Sequence, residues 1–87
     1  MKNKKYCFQA DFIFMIEEQA HIFKDEIIQK YGGKIIKSKF SYKYGFIYRC
    51  IFKNIDLSIK CLIECMDNRF YAISTNHKPK RCKIYEN

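Results

Sequence analysis

No stretch of this chain approaches the roughly eighteen consecutive apolar residues that a membrane-spanning helix requires, so no transmembrane helix is expected. The opening, MKNKKYCFQADFIFMIEE, shares only its basic start with a secretory leader. Gln9 and Asp11 interrupt its apolar part and no small-residue cleavage site follows, so no signal peptide is expected either. Glycine is scarce, with three residues, and the pair Gly32-Gly33 follows a helical pattern instead of preceding one. That placement excludes a glycine-rich loop of the phosphate-cradling kind. There is no Gly-x-Ser-x-Gly nucleophile motif, no internal repeat and no low-complexity segment. Acidic residues are thin, nine against seventeen Lys and Arg, which leaves a net charge of +8.

What is present fits one small domain. The 87 residues suffice for a single core and not for two. Eight Phe, seven Tyr and many Ile supply large apolar groups, and a hydrophobic content of 48% argues against disorder. The positive charge favours polyanionic partners, namely RNA, DNA or an acidic protein surface. Lys outnumbers Arg, which suits phosphate attraction better than bidentate base reading. The five Cys are an odd number, matching reduced thiols inside the cell better than a disulfide framework, and the expected location is the cytoplasm.

Tyr6 to Phe14 alternates, with Tyr6, Phe8, Ala10, Phe12 and Phe14 on one side, as in a half-buried strand. Ile16 to Tyr31 reads as a helix, because Ile16, Ala20, Phe23, Ile27 and Tyr31 recur at helical spacing. Glu17 and Glu18 suit its start, Lys30 suits its end and can pair with Glu26, and Gly32-Gly33 supplies a left-handed stop. Asn54 to Met66 fits two patterns. Ile55, Leu57, Ile59, Cys61, Ile63 and Cys65 alternate as in a strand, whereas Asp56, Lys60, Glu64 and Asp67 form one helical stripe with Asn54 as its cap. Length and cap favour the helix. Arg69 to Thr75 reads as a last strand. Residues 1–5 and 77–87 read as flexible basic tails, the second with Pro79 opposing regular structure. With the second helix the fold is α+β with the order βαββαβ, the ferredoxin-like split arrangement. With a strand there it becomes one helix on a four- to five-stranded antiparallel meander.

The densest mixture of aromatic and basic residues is Lys34 to Phe52, KIIKSKFSYKYGFIYRCIF, which reads as a hairpin with Gly45 near its turn. Lys37, Lys39 and Lys43 share one parity with Ile35, and three lysines cannot face a core. On the second strand Arg49 shares its face with Ile47 and Ile51, opposite Phe46, Tyr48, Cys50 and Phe52.

Within this span YGFIYRCIF resembles the third-strand motif of the RNA recognition motif. FKDEIIQKYGGKI resembles that family's passage from first helix to second strand, and DLSIKCLIE its second helix. The resemblance implies a ferredoxin-like sheet on which aromatic side chains stack bases, here Phe46 and Tyr48. The sequence departs from the motif at Tyr44, Ile47, Arg49 and Ile51. If Phe46 and Tyr48 face solvent, Arg49 enters the core without an evident partner, which is costly. The arrangement favoured by burial therefore puts both aromatics in the core and Arg49 outside.

The expected function is a small nucleic-acid-binding module, RNA more than DNA, held electrostatically through Lys37, Lys39, Lys43 and Arg49, with Lys78, Lys80 and Arg81 extending the patch. No catalytic residue, metal or cofactor is assigned. Two alternatives stay open. One is a small inhibitor or adaptor, encoded by a mobile element, that docks on a host protein complex through Ile35, Ile47 and Ile51 beside lysines. The other follows from AISTNHKPKRCKIY, which resembles the ending of RelE-type ribonuclease toxins and implies roles for His77, Arg81 and Tyr85. An exposed edge strand can also pair two copies into a homodimer. Cys61, Cys65, His77 and Cys82 fit no defensible zinc spacing, so the thiols read as core residues. His21 and Asp25 read as a solvated pair.

Overall fold

The chain's computed structural model describes residues 6–81. The alternating stretch Tyr6–Phe14 forms strand β1, Lys34–Ser41 forms β2, Gly45–Phe52 forms β3 and Ala72–Arg81 forms β4. Helix α1 covers residues 17–30, and helix α2 is Ile55–Asp67. The fold is α+β, with helical segments between β1 and β2 and a further helix between β3 and β4. The strands make one antiparallel sheet in the order β2-β3-β1-β4, so β1 and β3 are central and β2 and β4 are edges. Among the described residues no helix is long and apolar enough to cross a membrane.

Helix α1 is not a uniform α-helix. Its α-helical part Glu17–Ile22 passes into a π-helical turn, Phe23–Ile27, before a last α-turn, Ile28–Lys30. The Ile28 N–H reaches back five residues to the Phe23 carbonyl. Ile27 and its neighbour Ile28 are both buried, seven and eight residues on from the buried Ala20. The helix ends as the double glycine suggests. Gly32 has φ +67°, its N–H donates to the Gln29 carbonyl, and the Gly33 N–H donates to the Ile28 carbonyl. A side chain at Gly33 would lie 2.6 Å from Ile28 Cγ1 and 2.7 Å from Phe52 Cε2, so the helix exit needs a residue without one.

The ambiguous stretch is helical. The Asn54 side chain accepts a hydrogen bond from the Leu57 N–H at 3.0 Å, capping α2. Ser58, Cys61 and Cys65 face the sheet, and Ile55, Ile59 and Ile63 form a half-exposed stripe along one flank. Glu64 ties the two helices together. Its carboxylate accepts from Lys30 Nζ at 2.6 Å and from the Tyr31 hydroxyl at 2.5 Å. Lys30 thus pairs with Glu64 and not with Glu26 as its spacing suggested. The hydrogen bond to Glu64, with burial and the carboxylate's charge, pushes the Tyr31 pKa up to about 12.

Both helices cover the same face of the sheet. Ala10, Phe12, Phe14, Tyr48, Cys50 and Phe52 meet Ala20, Phe23, Ile27, Cys61 and Cys65 in one core. Phe23 is its hub, with ring centroids 4.9 Å from Phe12, 4.8 Å from Phe14 and 5.9 Å from Tyr48. Each fully buried ring of this kind contributes about 1.5–3 kcal/mol. Burial pushes the Cys50, Cys61 and Cys65 thiols up.

The expected tail beginning at His77 is corrected: β4 runs on to Arg81, and Pro79 pairs in register with Phe8. β4 is an edge, where a residue lacking an N–H is tolerated. Residues 1–5 and 82–87, with Cys82, Lys83 and Tyr85, lie outside the described residues.

Candidate functional site

Residues opposite one another in an antiparallel sheet project to the same side. On the face away from the helices, this register lays down three rows. The first is Lys34, Ile51, Gln9 and Lys78; the second Lys37, Arg49, Asp11 and Thr75; the third Lys39, Ile47, Ile13 and Ile73. Beyond the first row Lys80 stands opposite Cys7. This face thus carries exposed lysines along its two edge strands, buried side chains at Cys7, Gln9, Asp11 and Ile51 along its centre, and an apolar end beside the β2–β3 turn.

Two irregularities set this pattern. In β2, Ile36 is an extra residue between the Ile35–Cys50 and Lys37–Arg49 pairs. It brings Lys34 and Lys37 to the same face although they are three apart, and lets Ile35 pack against the helix-side core. In β4, Asn76 and His77 together oppose Ala10, and Asn76 takes φ +54°, a left-handed conformation that asparagine tolerates. That turn delivers the Asn76 amide to Asp11.

Asp11 is the chemical centre of the face. Its side chain is 6% exposed and that of Arg49 39%. Arg49 Nε donates to Asp11 Oδ1 at 2.9 Å and Nη2 to Oδ2 at 3.2 Å, a two-pronged contact, and Asn76 Nδ2 donates to Oδ2 at 2.8 Å. Burial alone would raise the Asp11 pKa. The hydrogen bonds from Arg49 and Asn76, with the charges of Arg49 and Lys39, outweigh it and hold the carboxyl below its ordinary value. The pair floors a concavity of about 290 Å³ walled by Lys37, Lys39, Ile13, Ile47 and Tyr44. Among the described residues no carboxylate pairs with Lys34, Lys37, Lys78 or Lys80. Beside Asp11 along β1, Gln9 is buried and its amide nitrogen has no hydrogen-bond partner among the described residues.

Compared with protein families, curated proteins and solved structures, the chain matches none.

The residues singled out from sequence divide in three. Lys37, Lys39 and Arg49 converge on the concavity, and Lys78 and Lys80 share their face. Arg49, however, is paired with Asp11, which offsets its charge and engages Nε and one Nη2 hydrogen. Lys43 stands apart. It lies in the turn, its Nζ 5.2 Å from the centroid of the Tyr44 ring, beside a second, more apolar hollow of about 260 Å³ lined by Ile13, Met15, Tyr44 and Tyr71. Arg81 is opposite Tyr6, on the side of the helices. Phe46 and Tyr48 also point to the helix side, Tyr48 buried in the core, so neither is placed to stack bases on the open face.

The apolar expectations change as well. Ile35 is half-buried on the helix side against the core and Ile51 is buried beside Cys7, so of the three isoleucines expected beside lysines only Ile47 is partly open on the lysine face. His77 Nε2 lies 2.7 Å from Ser74 Oγ with its ring edge against Phe8, and Arg81 is four residues further along an extended strand, about 13 Å away. The two do not form a joint site. His21 Nε2 sits 3.4 Å from Glu17 Oε2, on the same exposed hollow as Asp25.

Sequence reasoning missed Lys34, Asp11 and Asn76. Asp11 had a usable signal: in the strand reading it shares the open parity with Gln9, and a lone carboxylate there is the natural partner for Arg49. Lys34 and Asn76 depend on bulges, for which the sequence gives no periodic sign.

Proposed function

We propose that the protein is a small nucleic-acid-binding module that holds single-stranded RNA, in preference to DNA, against the open face of a ferredoxin-like sheet. The observation that carries this reading is the continuous row structure of Lys34, Lys37, Lys39, Lys78 and Lys80 around a single carboxylate already engaged by Arg49. Lysines two apart on one strand recur about every 7 Å, a ladder suited to tracking a phosphate backbone. The order of elements and the strand order β2-β3-β1-β4 support the ferredoxin-like assignment. With the usual stacking positions turned into the core, binding is led by phosphate contacts, and affinity falls steeply with salt. Four buried free thiols suit a cytoplasmic setting.

The test is fluorescence anisotropy with labelled RNA and DNA oligonucleotides across a salt series. Binding at low salt should decline linearly in log K against log salt. Replacing Lys34, Lys37 and Lys78 together by Gln should flatten that slope by about 2–3, near 0.7–0.9 for each lost contact. No binding to either polymer at low salt defeats the reading.

One observation favours a second reading, an adaptor or inhibitor docking on a protein complex. The Ile55, Ile59 and Ile63 stripe of α2 is 48%, 47% and 48% exposed, with Met66 beyond it. Recovery of one stoichiometric protein partner after nuclease treatment, lost on replacing Ile59 by Lys, would select this reading.

A further inference from the structure

The concavity over Asp11 and Arg49 differs from the rest of the basic face in being organised. Most lysines there end in solvent on flexible stems, and each must give up side-chain freedom to hold a ligand. Arg49 is already fixed, since Nε and Nη2 are held by a carboxylate that Asn76 holds in turn. A guanidinium has five N–H donors. Two of them are engaged here, which leaves the Nη1 edge and one Nη2 hydrogen available on a side chain that is 39% exposed.

Lys37 stands directly opposite Arg49, and Lys39 is two residues along the same strand, about 7 Å away. Three cationic groups thus surround one point, with one negative charge beneath them. Ile13, Ile47 and the rim residue Tyr44 supply an apolar and aromatic wall, with Thr75 and Asn76 as the polar border beside Asp11. A volume of about 290 Å³ is at the small end of ligand pockets, which run from about 300 to 1,000 Å³, and suits one monomer unit and not two.

We infer that this concavity is a subsite for one phosphorylated nucleoside of the bound strand, its phosphate held by Lys37, Lys39 and the outward edge of Arg49, its base lying against Ile13, Ile47 and Tyr44. The inference rests on the nucleic-acid reading above and adds a place where one nucleotide is held by fixed donors. Asp11 is a positioning residue: it orients the guanidinium and offsets repulsion among the three cations. The apolar wall distinguishes the site from a general anion trap, because inorganic phosphate leaves that wall unused.

The test is titration of the full-length, ¹⁵N-labelled protein with adenosine 5′-monophosphate, adenosine and inorganic phosphate, followed by NMR at the Arg49 Nε–H, the Asn76 side-chain amide and the Thr75 backbone amide. The monophosphate should shift these signals at lower concentration than either other probe, and a short RNA should shift the same signals. Arg49→Lys keeps the charge and loses the fork, so it should weaken monophosphate binding by about tenfold or more. Tyr44→Ala, at the exposed rim, should weaken the monophosphate and leave inorganic phosphate unchanged. Equal binding of phosphate and monophosphate overturns the inference. So does an unaltered monophosphate affinity in Arg49→Lys, or RNA binding that leaves the Arg49 and Asn76 signals in place. In the last case the nucleic-acid reading stands without the subsite, whereas failure of RNA to bind at all removes both.

Discussion

Asp11 sits on a central strand with its side chain almost fully withdrawn from solvent, a position where an ionised carboxylate survives only if its oxygens are occupied. Arg49 and Asn76 occupy them. Because the folded pKa lies below the ordinary 3.8, folding is favoured by the ionised form. That stabilisation is complete above the ordinary value and is lost as pH falls through the folded value. Asp11→Asn should therefore flatten the acid limb of a stability–pH curve measured by urea denaturation below about pH 4. At neutral pH it should cost on the order of 1–3 kcal/mol, the partial exposure of Arg49 keeping the loss below that of a fully buried pair. An acid limb unchanged in the variant would show that other carboxylates govern it.

A second residue-level feature is strain. Arg69 takes φ +62° directly after α2, where its N–H donates to the Met66 carbonyl and the Phe70 N–H donates to the Cys65 carbonyl. This is the same helix stop as at Gly32-Gly33, built here with a side chain in the left-handed region at a cost of about 1–2 kcal/mol. Arg69→Gly should relieve part of that cost. Allowing for the greater freedom of glycine in the unfolded chain, the net gain should be under about 1 kcal/mol, an upward shift of a few degrees in the thermal midpoint. A lower midpoint would mean that the Arg69 side chain contributes more than its backbone loses.

At the scale of elements, what the sequence discloses depends on whether an element keeps its period. β1 alternates without interruption, and its core side, Ala10, Phe12 and Phe14, is legible directly. β3 is equally regular, and placing Arg49 outside correctly sends Tyr48 and Phe52 inward. α2 is legible through Asn54 and the Asp56-Lys60-Glu64 stripe despite its isoleucines, because three of these occupy a flank that a helix leaves half open. β2 and α1 each hide one residue. A bulge at Ile36 reverses parity, so Ile35 goes to the core where simple alternation puts it with the lysines. In α1 the buried face takes in Ile28 beside Ile27, a residue left out when only Ile16, Ala20, Phe23, Ile27 and Tyr31 are counted. β4 was read too short because Pro79 signals a break, and only its position at an edge makes it acceptable.

For the whole molecule, charge and apolar surface are separated by the sheet. The helix side carries the core and, on α2, the isoleucine flank; the open side carries the lysines and the Asp11–Arg49 pair. The basic character of the candidate site was legible from Lys37 and Lys39, while its organisation was not, since that requires knowing that β1 lies between β3 and β4 and so brings Asp11 between Arg49 and Asn76. Long-range pairing of this kind leaves no trace in local spacing. The separation also has a consequence for measurement. Substituting the outer lysines should change nucleic-acid affinity with little change in the thermal midpoint, because these side chains contribute to neither the core nor an ion pair among the described residues.

The extra residue in β2 also fixes where the chain can change length. Ile36 faces no partner of its own, so a chain lacking it would close into an unbroken ladder with Lys34, Ile35, Lys37 and Lys39 on the sides they already occupy. Ser38 is different: without it Lys37 would slide into the place opposite Tyr48, and a lysine would be driven toward the core. Thermal denaturation of the two single-residue deletions should show the first folding cooperatively with a modest loss and the second strongly destabilised. Two positions in one strand, a single residue apart, would thus answer oppositely to the same loss. Natural or engineered shortening of this hairpin should be confined to Ile36.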